Sequence, residues 1–418
     1  MLLSKLSQGI QTSPIITLAA EINEKISTGE KFYNLTIGDF NPQIFPIPHE
    51  FKQEIIAAYN AGQTNYPGAM GLPGLRNSVS HFLKHYDNLH YDADEILISC
   101  GSRPLIYSAY RAIVDPGDRV IFPAPSWNND FYSYLSFAKQ VVIETLPEDN
   151  FMPTAEALKP HIKDAVLIAL CSPLNPTGTI FNKAVLEEIC DLILEENKSR
   201  GPHKRPLYLL YDQIYWLITF GEHRHYNPVN LRPEIRDYTV FIDGMSKAFA
   251  GTGVRLGWGF AASHIIKKMR TFISHMGAWA PRAEQFAAGN YLKNTAAIES
   301  YLNGFRSEVR NRLTAFYKGF KALRSKGYKV DAIEPQAAIY LTVQLDLRGM
   351  KRPDGKVLST NHHVHRYILD EAKVGLVPMS YFGASPESSW YRLSVGTCRM
   401  EEVEVIISAL EEALRKLS

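Results

Sequence analysis

Lys247 stands in an unusual setting for a charged side chain. An apolar run, Tyr238 to Ile242, precedes it, and a glycine-rich apolar run, Leu256 to Phe260, follows. Both read as buried strands. Between them the chain turns at Gly244 and presents Ser246, Lys247, Thr252 and Arg255. Burying an ammonium is costly unless it is paired or neutral. A lysine pushed toward neutrality is a nucleophile, and its usual work is a Schiff base with a carbonyl compound. The guanidinium of Arg255, with the hydroxyls of Ser246 and Thr252, has the chemistry to hold a phosphate. An aldehyde that carries a phosphate suggests pyridoxal 5′-phosphate. The rival reading, Gly251-Thr-Gly253 with Gly257 as a dinucleotide loop, needs a helix after the glycines. Here another strand-like run follows.

Other stretches supply companions for such a lysine. Gly101-Ser102-Arg103-Pro104 lies between a strand at 95–100 and a helix at 105–114. A helix N-terminus behind a glycine and a hydroxyl makes an anion site. Trp127 follows the strand at 118–122 and is placed to stack on a flat ring. Asn175, flanked by Pro173 and Pro176, fixes an amide at the end of the strand at 165–171. Asp212 directly follows the apolar strand at 206–211, with Tyr215 just beyond. An aspartate so placed needs a cation or several donors. Gly38 permits close approach of the backbone at a strand end. Tyr66, in a glycine- and proline-rich loop, is an exposed aromatic.

The elements that must position these residues alternate. Strand and helix succeed one another from 95 to 260, which argues for an α/β fold with a mostly parallel sheet and helices on both faces. Ligands of such sheets bind at the carboxyl ends of the strands. Before that region come an irregular arm with Pro14, a helix over 15–27 ended by Gly29, a short strand from Asn34, and helices over 48–61 and up to His85. After it, a helical stretch over 282–324 is expected to break near Gly304 and to connect two domains. The last part reads as α+β, with strands at 337–344 and 390–395 and helices at 362–372 and 401–416. The final helix carries Val403, Val405, Ile406, Ala409, Leu410 and Leu414 in a stripe expected to pack on a sheet. His362, His363 and His365 lack acids at metal spacing and read as surface, so no metal site is expected.

Composition narrows the classes. A chain of 418 residues with 45% hydrophobic and 21% charged residues suits a soluble globular protein of two or three domains. A net charge of +2 gives no electrostatic case for nucleic acid or an acidic membrane. Residues 1–30 are too few and not basic enough for a helix-turn-helix domain. The N-terminal apolar run is too short for a signal peptide, and no window is apolar enough to span a membrane. Cys100, Cys171, Cys190 and Cys398 show no CxxC pattern and read as reduced residues of a cytoplasmic protein.

Together these stretches resemble the class I/II aminotransferases, pyridoxal-phosphate (PLP) enzymes of fold type I and the aspartate aminotransferase kind. The resemblance runs over nearly the whole chain. It rests on Gly101-Ser102, Pro125-Ser-Trp127, Asn175-Pro-Thr-Gly178, Asp212 with Tyr215, Ser246-Lys247, Arg255, and Arg392 in Tyr-Arg-Leu-Ser-Val-Gly. It implies a large PLP-binding domain over 46–305 with a seven-stranded sheet. A smaller α+β domain would be built from 1–45 and 306–418. Lys247 would form the Schiff base with PLP and act as the general base at Cα. Asp212 would pair with the pyridinium nitrogen, and Asn175 and Tyr215 would bond the ring 3-oxygen. Trp127 would stack on the ring. Ser102, Ser246 and Arg255, with amides from Gly101 to Arg103, would hold the phosphate. Tyr66 would reach the phosphate of a neighbouring subunit, implying a homodimer. Arg392 would fork onto the substrate α-carboxylate, with Gly38 and Asn175 beside it.

The implied reaction is ping-pong transfer of an amino group from an L-amino acid to a 2-oxo acid. Alternatives on the same fold are a C–S β-lyase or a decarboxylase. Arg103-Pro104 departs from the small or amide residues common in relatives, so Arg103 could add a phosphate contact or meet a substrate side-chain carboxylate. Tyr33, Phe40, Trp279, Tyr340 and Phe382 are candidates for a pocket that takes aromatic or apolar side chains. Acidic and aromatic amino acids are the expected substrates.

Overall fold

The computed structural model describes residues 3–418; Met1 and Leu2, where the expected arm begins, lie outside the described residues. In chain order the strands are β1 (Tyr33–Asn34), β2 (Ile96–Ser99), β3 (Arg119–Ala124), β4 (Lys139–Glu144), β5 (Ala165–Cys171), β6 (Tyr208–Asp212), β7 (Thr239–Gly244) and β8 (Gly257–Phe260). Then follow β9 (Val330–Ala332), β10 (Tyr340–Leu345), β11 (Val374–Gly375), β12 (Val377–Pro378) and β13 (Trp390–Ser394).

A seven-stranded sheet runs in the order β2-β8-β7-β6-β5-β3-β4. Its strands are parallel from β4 across to β7, and β8 runs antiparallel to both its neighbours. The reason is visible in β5, Ala-Val-Leu-Ile-Ala-Leu, which is apolar on both faces and buried throughout those six residues. Strands of that composition need cover on both sides, and crossover helices supply it. The helices Ser102–Ile113 and Ser263–Met276 pack together on one side, over Leu97, Val120, Val240 and Ile242. The helix Arg282–Tyr291 packs on His49–Asn60 and Pro73–Asp87.

Two smaller sheets complete the fold. One is antiparallel, in the order β12-β13-β10-β9, and the other pairs β1 with β11 in parallel. The N-terminal segment is thereby tied to the C-terminal part of the chain. All seven strands of the large sheet lie between 96 and 260.

Several expectations are corrected. The long helical stretch does not break at Gly304. It breaks after Tyr291, and the Asn294 side chain caps a helix of 31 residues, Thr295–Ser325. Gly304 faces solvent, where a Cβ would meet nothing, so the glycine leaves the helix intact. The arm is not wholly irregular, since Lys5–Gly9 forms a short helix capped by Ser4. In the final helix, Glu402–Arg415, Val405 is exposed, while Ala413 joins the buried stripe. That helix lies chiefly against the 31-residue helix and Asn361–Glu371, so its partners are helices. His362 and His363 are exposed as expected, but His365 is buried, and burial pushes its imidazole down to about 4. Among the described residues no helix is long and apolar enough to cross a membrane.

Candidate active site

The carboxyl ends of five strands of the large sheet open into one cavity of about 580 Å³. Each contributes through the loop that follows it. After β2 come Gly101 and the helix carrying Ser102 and Arg103; after β3, Trp127; after β5, Asn175; after β6, Asp212 and Tyr215; after β7, Ser246, Lys247 and Arg255. The smaller sheets add Arg392 from β13, Tyr340 from β10 and the segment Thr36–Asp39 that follows β1.

Lys247 is partly buried and lines this cavity. Burial pushes its amine down to about 8, against the pull of Asp39 and Asp212 and with the help of Arg392 and Arg103. Its Nζ donates to the Gly38 carbonyl at 2.5 Å and lies 5.7 Å from the centre of the Tyr215 ring. Asp212 is partly buried, and the desolvation that this brings raises its carboxyl to about 6, against the Ile214 amide and Lys247. A carboxylate held at that depth without a close cation is placed to pair with one.

Arg392 is 2% exposed. Its Nη1 donates to Asn175 Oδ1 at 2.8 Å and its Nη2 to the Thr36 carbonyl at 2.5 Å. The guanidinium lies between the rings of Tyr340 and Phe382, at 4.7 and 4.8 Å. Its Nε is buried without a partner, and among the described residues it forms no ion pair. Burial lowers its pKa. A guanidinium held so far from any anion has its charge available for a ligand carboxylate. With Asn175 Oδ1 engaged by Arg392, the amide nitrogen of Asn175 is left to donate.

The phosphate candidates form a cradle. Gly101 has φ +95°, a left-handed conformation, and a Cβ there would come within 2.6 Å of Arg255 Nη2. Arg255 is pinned by bonds to the carbonyls of Thr252 and Cys100, at 2.8 and 3.1 Å. Ser102, the first residue of a 12-residue helix, has a buried hydroxyl with no partner. An orphaned hydroxyl, free helix amides and an adjacent guanidinium fit a phosphate. The residues present therefore fit PLP at both ends, with Asp212 for the ring and this cradle for the phosphate.

Tyr66 is not brought to this cavity. It is 82% exposed and meets Trp279 edge-on, at 5.6 Å between ring centres, in a second groove of about 450 Å³. Of the residues expected to shape a side-chain pocket, Tyr340 lines the cavity, whereas Tyr33, Phe40, Trp279 and Phe382 do not. Phe40 is buried against Phe45 and Phe305, and Phe382 backs Trp127 and Arg392. The apolar wall comes instead from Ile15, Ile16 and Ala19 of the helix Pro14–Ser27, with Ile106 and Trp127. Arg103 faces the Trp127 ring at 5.1 Å.

Sequence reasoning missed Thr36 and Asp39. It also missed the Tyr215–Tyr340 hydroxyl pair, 2.6 Å apart. Only Gly38 signalled the pair: a Cβ there would fall 2.5 Å from the Tyr340 hydroxyl.

A family model described as aminotransferase class I and II matches residues 30–410. The probable aspartate/prephenate aminotransferase of Rickettsia felis is 31% identical over 417 residues, covering 98% of this chain and 95% of that protein. The aspartate aminotransferase of Bacillus sp. (strain YM-2) is 28% identical, covering 97% and 96%. Among solved structures, the aspartate aminotransferase of Rhizobium meliloti superposes with a TM-score of 0.90 at 26% identity, covering all of both chains. That of Thermus thermophilus, solved with maleate, gives 0.87 at 25% identity, covering 99% of this chain and 100% of that one.

Proposed function

As this chain belongs to the aminotransferase class I and II family and is an aminotransferase, we propose that it works with pyridoxal 5′-phosphate and moves amino groups between acidic or aromatic amino acids and 2-oxo acids. The observation that carries this reading is the meeting of Lys247, Asp212 and the anion-free guanidinium of Arg392 in one cavity. When bound, the cofactor supplies an aldehyde for Lys247 and a ring that accepts the electron pair left at Cα.

The chain's own residues do the rest. Lys247, freed by the incoming amino group, takes the Cα proton on Nζ, and its depressed basicity leaves a neutral fraction near pH 7 to do so. Asp212 holds a proton on the cofactor's ring nitrogen, which strengthens the electron sink. Asn175 Nδ2 and the Tyr215 hydroxyl donate to the ring oxygen. Ser102, Ser246, Arg255 and the amides of 101–103 anchor the phosphate. Trp127 covers the ring. Arg392 forks onto the α-carboxylate beside Gly38 and so orients Cα toward Lys247.

Side-chain selection follows from other residues of the cavity lining. Arg103 offers a cation to a substrate carboxylate, and Ile15, Ile16 and Ala19 offer apolar contact to a ring. This agrees with the substrates in the names of the relatives, aspartate and prephenate. We further propose a homodimer. Tyr66 and Trp279, with exposed Ile56, Tyr59, Met276 and Phe286, form the contact face, and Tyr66 reaches the neighbour's phosphate. We take 46–305 as the large domain and 1–45 with 306–418 as the small one; the 31-residue helix is continuous across 305 and 306. Four free thiols suit the cytoplasm.

The test is an absorption spectrum of the purified chain with PLP, before and after single amino acids are added. A visible band that aspartate, glutamate or an aromatic amino acid bleaches supports the half-reaction and ranks the donors. A chain that takes up no PLP refutes the cofactor assignment.

A further inference from the structure

Asp39 lines the same cavity as Lys247, and the reaction proposed for that cavity gives it no role. The two are joined through their neighbours. Lys247 Nζ donates to the carbonyl of Gly38, the residue immediately before Asp39. Thr252, in the loop that carries Lys247, donates its hydroxyl to Asp39 Oδ1. The Phe40 amide donates to the same oxygen at 2.7 Å. Asp39 Oδ2 accepts no hydrogen bond among the described residues, and no basic group lies within 4 Å of the carboxylate. Asp39, Thr252 and Lys247 all line the cavity. One oxygen is thus spent on fixing the segment, and the other is left without a hydrogen bond among the described residues.

We propose that Asp39 is a positioning residue for Lys247, its carboxylate supplying the counter-charge for the ammonium that forms when the lysine accepts the Cα proton and keeping the free side chain on the Gly38 side of the cavity. This rests on the reading of Lys247 as the base. The proton leaves Cα and appears on Nζ, and its electron pair goes to the sink described above. The lysine therefore becomes charged in a site that penalises charge. Four charged groups face it. Arg392 and Arg103 disfavour the ammonium, while Asp39 and Asp212 favour it, Asp39 more strongly. The Tyr215 ring is a further titratable neighbour, and its hydroxyl is paired with that of Tyr340, which packs against Gly38. Asp212 is assigned to the cofactor's ring nitrogen, and once paired there its charge is offset. Asp39 is then the carboxylate left to answer the lysine, and an opposite charge nearby strengthens a general base.

The test uses the full-length chain as wild type and as Asp39→Asn, Asp39→Glu, Thr252→Val and Lys247→Ala. With the cofactor stripped, the rate at which an amine reagent modifies Lys247 is followed against pH by peptide mass spectrometry. The acid limb of kcat is measured on the loaded enzyme. Removing the counter-charge lowers the amine's pKa, so in Asp39→Asn both midpoints move to lower pH. Asp39→Glu brings them back, and Thr252→Val, which loosens the segment and keeps the charge, leaves the modification midpoint in place. Coincident midpoints in wild type and Asp39→Asn overturn the proposal. So does an equal displacement in Thr252→Val, which makes the contact a mechanical clamp. If Lys247→Ala keeps the visible band and turnover, the reading of Lys247 itself falls, whatever Asp39 does.

Discussion

Arg392→Ala removes a guanidinium that makes two hydrogen bonds inside the protein, to Asn175 and to the Thr36 carbonyl, and pairs with no anion there. If that charge exists for the substrate α-carboxylate, its loss is felt when substrate binds. Truncating one partner of a buried, hydrogen-bonded charge pair costs roughly 2–5 kcal/mol. At about 1.4 kcal/mol per tenfold, kcat/KM for a preferred amino acid falls by about 30- to 4,000-fold. Part of any loss could come from the packing hole between Tyr340 and Phe382, so the assay needs an internal reference. The same half-reaction is run with the matching amine that lacks the α-carboxylate. Wild type discriminates against this amine by a factor of the same order as the mutational loss, and Arg392→Ala shows little discrimination. Arg392→Lys keeps a charge and loses the fork, and it falls between the two. The reasoning is refuted if Arg392→Ala, folded by circular dichroism, prefers the carboxylate-bearing substrate as strongly as wild type does.

Lys247→Ala abolishes covalent attachment of PLP and nearly all turnover, read as loss of the visible band that borohydride reduction would otherwise fix to the protein. Asp212 has a carboxyl raised to about 6 in the cofactor-free fold, above its ordinary 3.8. The folded state therefore binds more protons between those values, and stability falls as pH rises through that window. Asp212→Asn removes that penalty. Near pH 7 its cofactor-free form gains of the order of 2–3 kcal/mol over wild type, a gain that vanishes below about pH 4, while its transamination rate collapses. Denaturant melts at pH 4 and pH 7 check the sign. Gly38→Ala drives a methyl group to 2.5 Å from the Tyr340 hydroxyl and displaces it from Tyr215. Activity drops, and Tyr340→Phe in the same chain restores part of it, a non-additivity that a double-mutant cycle measures.

Much of the fold was legible because its signals are local. The apolar runs of β5, β6 and β7 and the polar or glycine-bearing loops after them mark strands whose ends face one edge of a sheet. Lys247, Asp212 and Asn175 were legible for the same reason, each a polar residue at the end of an apolar strand or in the loop just after it. Where local signals were ambiguous, the reading slipped. Gly304 looked like a helix break, yet a solvent-facing glycine in a helix packed along its other face costs only about 1 kcal/mol, and the packing holds it. His365 shares a helix with two exposed histidines but turns inward, toward Tyr381 and Tyr391.

What the amino-acid sequence determined by itself was the family, the alternation of strands and helices from 95 to 260, and the residue types available to the chemistry. The tertiary structure alone decided who meets whom. Arg392 meets Asn175 across 217 positions, and Thr252 meets Asp39 across 213. Tyr66 stays outside the cavity of its own chain. Of the aromatic residues suggested for a side-chain pocket, Tyr340 lines the cavity, and the helix Pro14–Ser27 supplies apolar wall where the others do not reach. Hydrophobic periodicity reports which face of an element is buried. It carries no record of which distant element covers that face, and charges such as Arg392, Asp39 and Lys247 acquire their function from that pairing.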